Sequence, residues 1–207
     1  MPKIFINSGH SSADPGFICG CGTESSWNMK IRDELRSLVP EAYFVPDNLN
    51  LRQTLDWINE YADKDSLAID IHLNSSNNVS LRGTEVYYAE MYRYADIFSK
   101  NVSEHLGVFN RGVKHDSLSY VGSLAFLRQL KCPSVLIEAC YLTNEEDKKV
   151  LQNDGPKKIA EGIKKSLDIL FKDPIIIETL QKQQLNLIQQ VLSALKEKIL
   201  LLLKKYN

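Results

Sequence analysis

The sequence has no long apolar run. Its longest, Ile199 to Leu203, falls far short of the roughly 20 residues a bilayer-spanning helix needs. Met1-Pro2-Lys3 leads directly into a strand-like stretch, without the apolar core and cleavage site of a signal peptide. The expectation is synthesis in the cytoplasm, so that any action outside the cell requires release by another agent. A dominant charge is also missing: 25 Lys and Arg against 26 Asp and Glu leave a formal net charge of -1. Basic residues concentrate only in the last third, so nucleic-acid binding is not expected. Cysteine is scarce, with four residues at 19, 21, 132 and 140. Cys19-Gly-Cys21 lacks the two-residue spacer common in zinc ribbons and redox motifs. For a cytosolic product the expectation is four reduced thiols, with a metal contribution from Cys19 and Cys21 as the minor alternative. There is no internal repeat and no His-Glu-x-x-His helix motif.

What is present is an alternation of strand-like and helix-like stretches. Residues 3–7 form a first strand, followed by a glycine-rich loop over 8–23. A helix begins near Glu24, with Trp27, Ile31, Leu35 and Leu38 at helical spacing. Pro40 ends it, Ala42 to Val45 reads as a strand, and Leu51, Leu55, Ile58 and Ala62 mark a second helix. Leu67 to Ser75 is a short apolar run bounded by polar residues, the pattern of a buried strand. Glu85 to Tyr88 follows as a strand. Tyr94, Phe98, Val102 and Leu106 define a third helix with Gly107 as its C-cap. Residues 108–133 are less regular, with a turn into a short strand at Asn110 to Lys114 and a short helix within 124–130. Ser134 to Ala139 is a further strand. Ile159, Ile163, Leu167 and Leu170 give the closing helix. This order predicts an α/β fold: a twisted, mostly parallel sheet flanked by helices on both faces, plus a C-terminal amphipathic helix. At 207 residues the chain suits one domain with an appendage, here residues 1–172 and 173–207.

Three of the strands end in, or carry, reactive side chains. The first runs into His10, the 67–75 strand carries His72, and the 134–139 strand carries Glu138. Ligands of open α/β sheets bind at the ends of strands, and Glu24 at a helix start is placed to point toward that edge. Two His and a Glu with a second carboxylate nearby is what a hydrolytic zinc centre needs. His10, Glu24 and His72 supply three ligands, and Glu138 suits a proton shuttle, because burial raises a carboxylate's pKa while a metal lowers it. Spacing alone leaves the alternative open that His72 is a structural histidine. A glutamate inside an apolar strand is the stronger clue, since it needs a partner or a function. His105 reads as solvated, and His115 carries no assigned role.

The chain also resembles the zinc-dependent N-acetylmuramoyl-L-alanine amidases of type 3, cell-wall enzymes of bacteria and phage endolysins, over about residues 3–171. The resemblance rests on Ile6-Asn7-Ser8-Gly9-His10 with Asp14-Pro15-Gly16, on Glu24, on Ile71-His72-Leu73-Asn74-Ser75, on Asn110-Arg111-Gly112-Val113-Lys114, and on Pro133 to Glu138 with Tyr141 to Asn144. It implies zinc ligation by His10, Glu24 and His72, a general base at Glu138, and support of the site's edge by Asn74. The implied reaction is hydrolysis of the amide between N-acetylmuramic acid and L-alanine by a zinc-activated water. The implied partner is peptidoglycan or a muropeptide, and the implied setting is endolysin-type lysis at the cell wall. Ala139-Cys140-Tyr141 departs from the Gly-Phe that many relatives have after the glutamate, as do the two cysteines of the first loop. A zinc peptidase on the same scaffold and an inactive wall-binding scaffold protein are the alternatives.

Beyond Asp173-Pro174, Leu185, Ile188, Leu192, Leu195, Ile199, Leu202 and Tyr206 recur at three- and four-residue steps, a heptad seam of about three repeats. Packing on the chain's own domain and a membrane-surface helix, favoured by Lys196, Lys198, Lys204 and Lys205, are two uses for it. The breadth of the apolar stripe and the break at Pro174 favour the third, a homo-oligomer formed through this helix.

Overall fold

The computed structural model describes residues 2–11, 13–172, 193, 195 and 196. The chain divides into two units, 1–167 and 168–207. The predicted heptad seam, and with it the oligomer expectation, lies outside the described residues.

The described elements follow one another as β1 (Ile4–Ser8), β2 (Ile18–Cys19), β3 (Gly22–Thr23), α1 (Glu24–Leu38), β4 (Tyr43–Phe44), α2 (Leu51–Tyr61), β5 (Leu67–Asn74), β6 (Thr84–Tyr88), α3 (Tyr92–Leu106), β7 (Asn110–His115), α4 (Ala125–Arg128), β8 (Ser134–Tyr141), α5 (Glu145–Gln152) and α6 (Gly155–Lys172). Six strands form one sheet in the order β4-β1-β5-β8-β6-β7. Neighbours run parallel except at β6 and β8, which are antiparallel. The sheet is therefore mostly parallel, as expected.

Burial on both faces explains why β1, β5 and β8 read as nearly continuous apolar runs. Phe5, Ala68 and Leu136 share one face and pack with Leu55 and Ile58 of α2 and Phe126 and Leu127 of α4. The alternate residues Ile6, Ile69, Ile71, Val135 and Ile137 are fully buried as well, and α1, α3 and α5 lie against these strands. Toward the C-terminal ends of β1, β5 and β8, the first of these faces changes character. The residues that continue it at two-residue steps are Asn7, Asp70, His72 and Glu138. Their register is fixed by pairing: Asn7 opposite Asp70, and His72 opposite Glu138.

Two local expectations are corrected. The glycine-rich loop contains an antiparallel hairpin, β2 with β3. Cys19 and Cys21, expected as thiols, are joined by a disulfide across its turn, their Cα atoms 5.1 Å apart. Residues 116–124 hold a short 3-10 turn whose buried Asp116 accepts hydrogen bonds from Arg128 and the backbone of Leu124. Among the described residues, no helix is long and apolar enough to cross a membrane.

Candidate metal centre

The site is assembled from one helix start and two strand ends. Thr23 caps α1, its hydroxyl accepting a hydrogen bond from Ser26 N at 3.1 Å, while Thr23 N donates to Ser26 Oγ at 3.2 Å. This reciprocal cap fixes the first turn, and with it Glu24, the first residue of the helix. Two backbone amides hold the Glu24 carboxylate: Phe17 N donates to Oε2 and Leu73 N to Oε1, each at 3.2 Å.

Glu24 lies between two imidazoles. His10 Nε2 is 3.2 Å from Oε2, and His72 Nδ1 is 3.0 Å from Oε1. The two rings are nearly perpendicular, with centroids 4.9 Å apart. One ligand atom from each of the three residues lies within 4.8 Å of the others, a grouping able to hold a metal ion. His10 reaches this position from a left-handed backbone (φ 67), uncommon for a residue with a side chain. The loop glycines admit the rings. A Cβ on Gly9 would sit 2.2 Å from His72 Nε2, and one on Gly16 would sit 2.6 Å from both Glu24 Oε2 and His10 Cδ2.

Each ring's other nitrogen faces a carboxylate. His10 Nδ1 is 3.1 Å from Asp14 Oδ2, and His72 Nε2 is 3.3 Å from Asp70 Oδ2. Asp70 is itself held by Asn7 Nδ2 at 2.7 Å. The charges follow from these contacts. Burial opposes ionisation of Glu24, but the hydrogen bonds from His10 and His72 hold its carboxyl well below the usual range. The hydrogen bond to Glu24 raises His10 above its ordinary value. Burial opposes protonation of His72, yet the charge and hydrogen bond of Asp70, with Glu24 and Glu138, hold it well above its ordinary value.

Glu138 stands opposite His72 on β8. Its Oε2 is buried and has no hydrogen-bond partner among the described residues. Burial pushes its carboxyl up to about 8; His72 opposes this, and Glu24, Glu85 and Asp70 add to it. On its other side, across the antiparallel pair, stands Glu85.

The sequence model of the N-acetylmuramoyl-L-alanine amidase family matches residues 4–168. The chain belongs to that family. Within it, the amidase LytC of Bacillus subtilis is 27% identical over 172 residues, covering 77% of this chain and 34% of that protein. The chain thus spans about a third of this curated relative's length. The catalytic domain of the amidase CwlV from Paenibacillus polymyxa superimposes with a TM-score of 0.73 at 24% identity, over 83% of this chain and 99% of that one. The catalytic domain of the CD27L endolysin targeting Clostridia difficile gives a TM-score of 0.63 at 24% identity, over 81% and 98%. At these identities the structural likeness speaks for a shared amidase fold.

The structure brings His10, Glu24, His72 and Glu138 to one place on this family member. Asn74 donates to Glu85 Oε1 at 2.8 Å. His115 lies elsewhere, against Tyr88 and Ser117, and His105 contacts Asn101 O on its own helix. The reading of motifs passed over Asp70 as the partner of His72, although an acid two residues before a strand histidine shares its face. It also passed over the charged group around Glu85.

Proposed function

We propose that this chain hydrolyses the amide joining N-acetylmuramic acid to L-alanine in peptidoglycan, with zinc held by His10, Glu24 and His72 and with Glu138 as general base. One juxtaposition carries the reading: a two-His, one-Glu cluster beside a glutamate whose buried oxygen has no partner among the described residues. Two imidazole nitrogens and a carboxylate oxygen are the ligand types of open catalytic zinc sites. The supports suit ligand histidines too, because Asp14 and Asp70 face the ring nitrogens turned away from Glu24. Protons on the two rings must leave when a metal binds, so zinc affinity rises with pH through the range where the rings titrate.

Zinc in this position supplies Lewis acidity toward the scissile carbonyl and makes water nucleophilic near neutral pH. The chain's residues supply the rest. Glu138 accepts a proton from the attacking water and delivers it to the departing L-alanine nitrogen. Burial raises its carboxyl and a neighbouring cation would lower it again, so with zinc in place the two effects oppose each other and suit Glu138 to take up and give back a proton near neutral pH. Glu24 stays ionised, held by two backbone amides. Asp70 keeps the His72 ring turned toward Glu24.

In this reading residues 1–172 are the catalytic unit, and 173–207 are an appendage that joins protomers into a homo-oligomer. The family match ending at residue 168 and the heptad seam of the sequence support that division. The setting we infer is endolysin-type lysis at the cell wall, supported by the fold shared with the CD27L catalytic domain.

The test is a digest of purified peptidoglycan with added zinc or with chelator, read by mass spectrometry. The expected products are free stem peptides beginning with L-alanine, absent after chelation. Fragments cut within the peptide would overturn the amidase reading in favour of a peptidase. No release from several wall types would overturn it in favour of a binding protein.

A further inference from the structure

The Glu85 carboxylate is 1% exposed and sits beside two cations. Arg111 Nε donates to its Oε2 at 2.7 Å and Lys114 Nζ to the same oxygen at 2.6 Å. One carboxylate does not need two cations, so the group carries an excess of positive charge. Both cations also keep open faces: the side chains of Arg111 and Lys114 are 22% and 28% exposed. Arg111 uses only Nε on Glu85, and its terminal nitrogens are neither hydrogen-bonded among the described residues nor sealed from solvent.

The backbone is shaped to place Arg111 there. The β6–β7 register shifts between Thr84 and Glu85, where Asn110-Arg111-Gly112 forms an irregularity with Gly112 at φ 79. Bulges of this kind re-aim a side chain and are common beside active sites. The position relative to Glu138 follows from the pairing. Glu138 faces Glu85, and Glu85 faces Gly112, so Arg111 and Lys114 lie two strands away. Two strand spacings amount to about 10 Å. An extended peptide covers that distance in roughly three residues.

The opposite flank differs. A cavity of about 250 Å³ beside His10 is lined by Asn7, Ser8, Met29, Leu49 and Thr54 among others, and by no Lys or Arg. Its one acid, Asp47, is paired with the buried Arg32. Of these two flanks, the β6–β7 side is the one whose described residues offer an anion a pair of cations.

We infer that Arg111 and Lys114 form a carboxylate-binding subsite that recognises an acidic group on the second residue of the peptide beyond the scissile amide. The inference rests on the amidase reading above. It orients the substrate, with the peptide crossing β6 and β7 and the sugar lying toward His10. Arg is suited to this task by its planar donors, which can take a carboxylate while Nε stays on Glu85.

The test uses the zinc-loaded full chain and two muropeptides identical except for a carboxylate or a carboxamide on the second residue. The unmutated protein is expected to prefer the carboxylate substrate at least tenfold in kcat/KM, with most of the difference in KM. In Arg111→Gln and Lys114→Gln, each of which keeps a donor toward Glu85, that preference is expected to collapse toward unity. Circular dichroism and zinc content identify any variant that has failed to fold, and the two-substrate comparison on the unmutated protein needs no variant. Equal rates on both substrates, or a variant that loses the same factor on both, would overturn the subsite. Cleavage of neither substrate by the unmutated protein would overturn the amidase reading itself.

Discussion

Glu138 and Glu85 are the same residue type, on adjacent strands, directly opposite one another, and they behave in opposite ways. Glu85 accepts hydrogen bonds from Asn74, Tyr87, Arg111, Lys114 and Tyr141. Burial works against its charge, but Lys114 and Arg111 prevail and hold its carboxyl below the ordinary value. Glu138 has a buried oxygen with no such donor, and burial pushes its carboxyl up to about 8. Position in the sheet therefore does not distinguish a structural carboxylate from a reactive one. The donors around it do. A fully satisfied carboxylate has no lone pair left for chemistry, whereas a half-satisfied one is poised to take a proton.

The largest effect is expected at Glu24, which lies between the two imidazoles. Glu24→Ala removes the carboxylate between the two rings. Zinc affinity should fall by well over about 100-fold, the upper cost of losing a mere supporting residue, and hydrolysis should fall with it. Titration with a competing chelator measures this, and unchanged affinity would break the assignment of the centre.

Next comes Glu85→Ala. It leaves Arg111 and Lys114 without their shared partner, and the expected loss of stability is about 3 kcal/mol at neutral pH. The deficit has a definite pH signature. Because the folded pKa of Glu85 is lowered, its contribution is present above the ordinary value of 4.5 and is lost as pH falls below it. Denaturant melts of parent and variant should therefore converge on acidification. A deficit constant down to pH 3 would contradict the ionic account.

Glu138→Gln should give the reverse in metal-free protein. A raised folded pKa means stability is full below 4.5 and is lost as pH rises through about 8. The variant escapes that loss and should exceed the parent by about 5 kcal/mol at pH 9, with the gain vanishing at pH 4. An identical pH profile for the two proteins would show that burial does not penalise this charge.

Asp70→Asn is the mildest change. It keeps the shape but weakens the support of His72, and zinc affinity should fall about tenfold. An unchanged affinity would leave Asp70 without the orienting role.

The contrast between the two glutamates also marks what was legible in the sequence. Regular periodicity and strand-length apolar runs were enough to find the sheet and the main helices, because both record burial directly. His72 and Glu138 stood out because a polar residue inside an apolar run is a local signal. The β2–β3 hairpin did not, since two-residue strands among glycines and cysteines have no period to detect. Glu85 was placed on a strand, but its donors are spread from Asn74 to Tyr141. They meet only because β6 enters a parallel sheet antiparallel to β8. No window of sequence contains that turn of direction.

The most direct test of the account compares zinc-loaded Glu138→Gln with the unmutated chain for release of L-alanine-terminated peptides from peptidoglycan, with zinc content measured on the same samples. The account predicts retained zinc and a release rate lower by about 10³-fold, within the range for loss of a general base. A zinc-loaded variant that releases peptides within tenfold of the parent rate would contradict it.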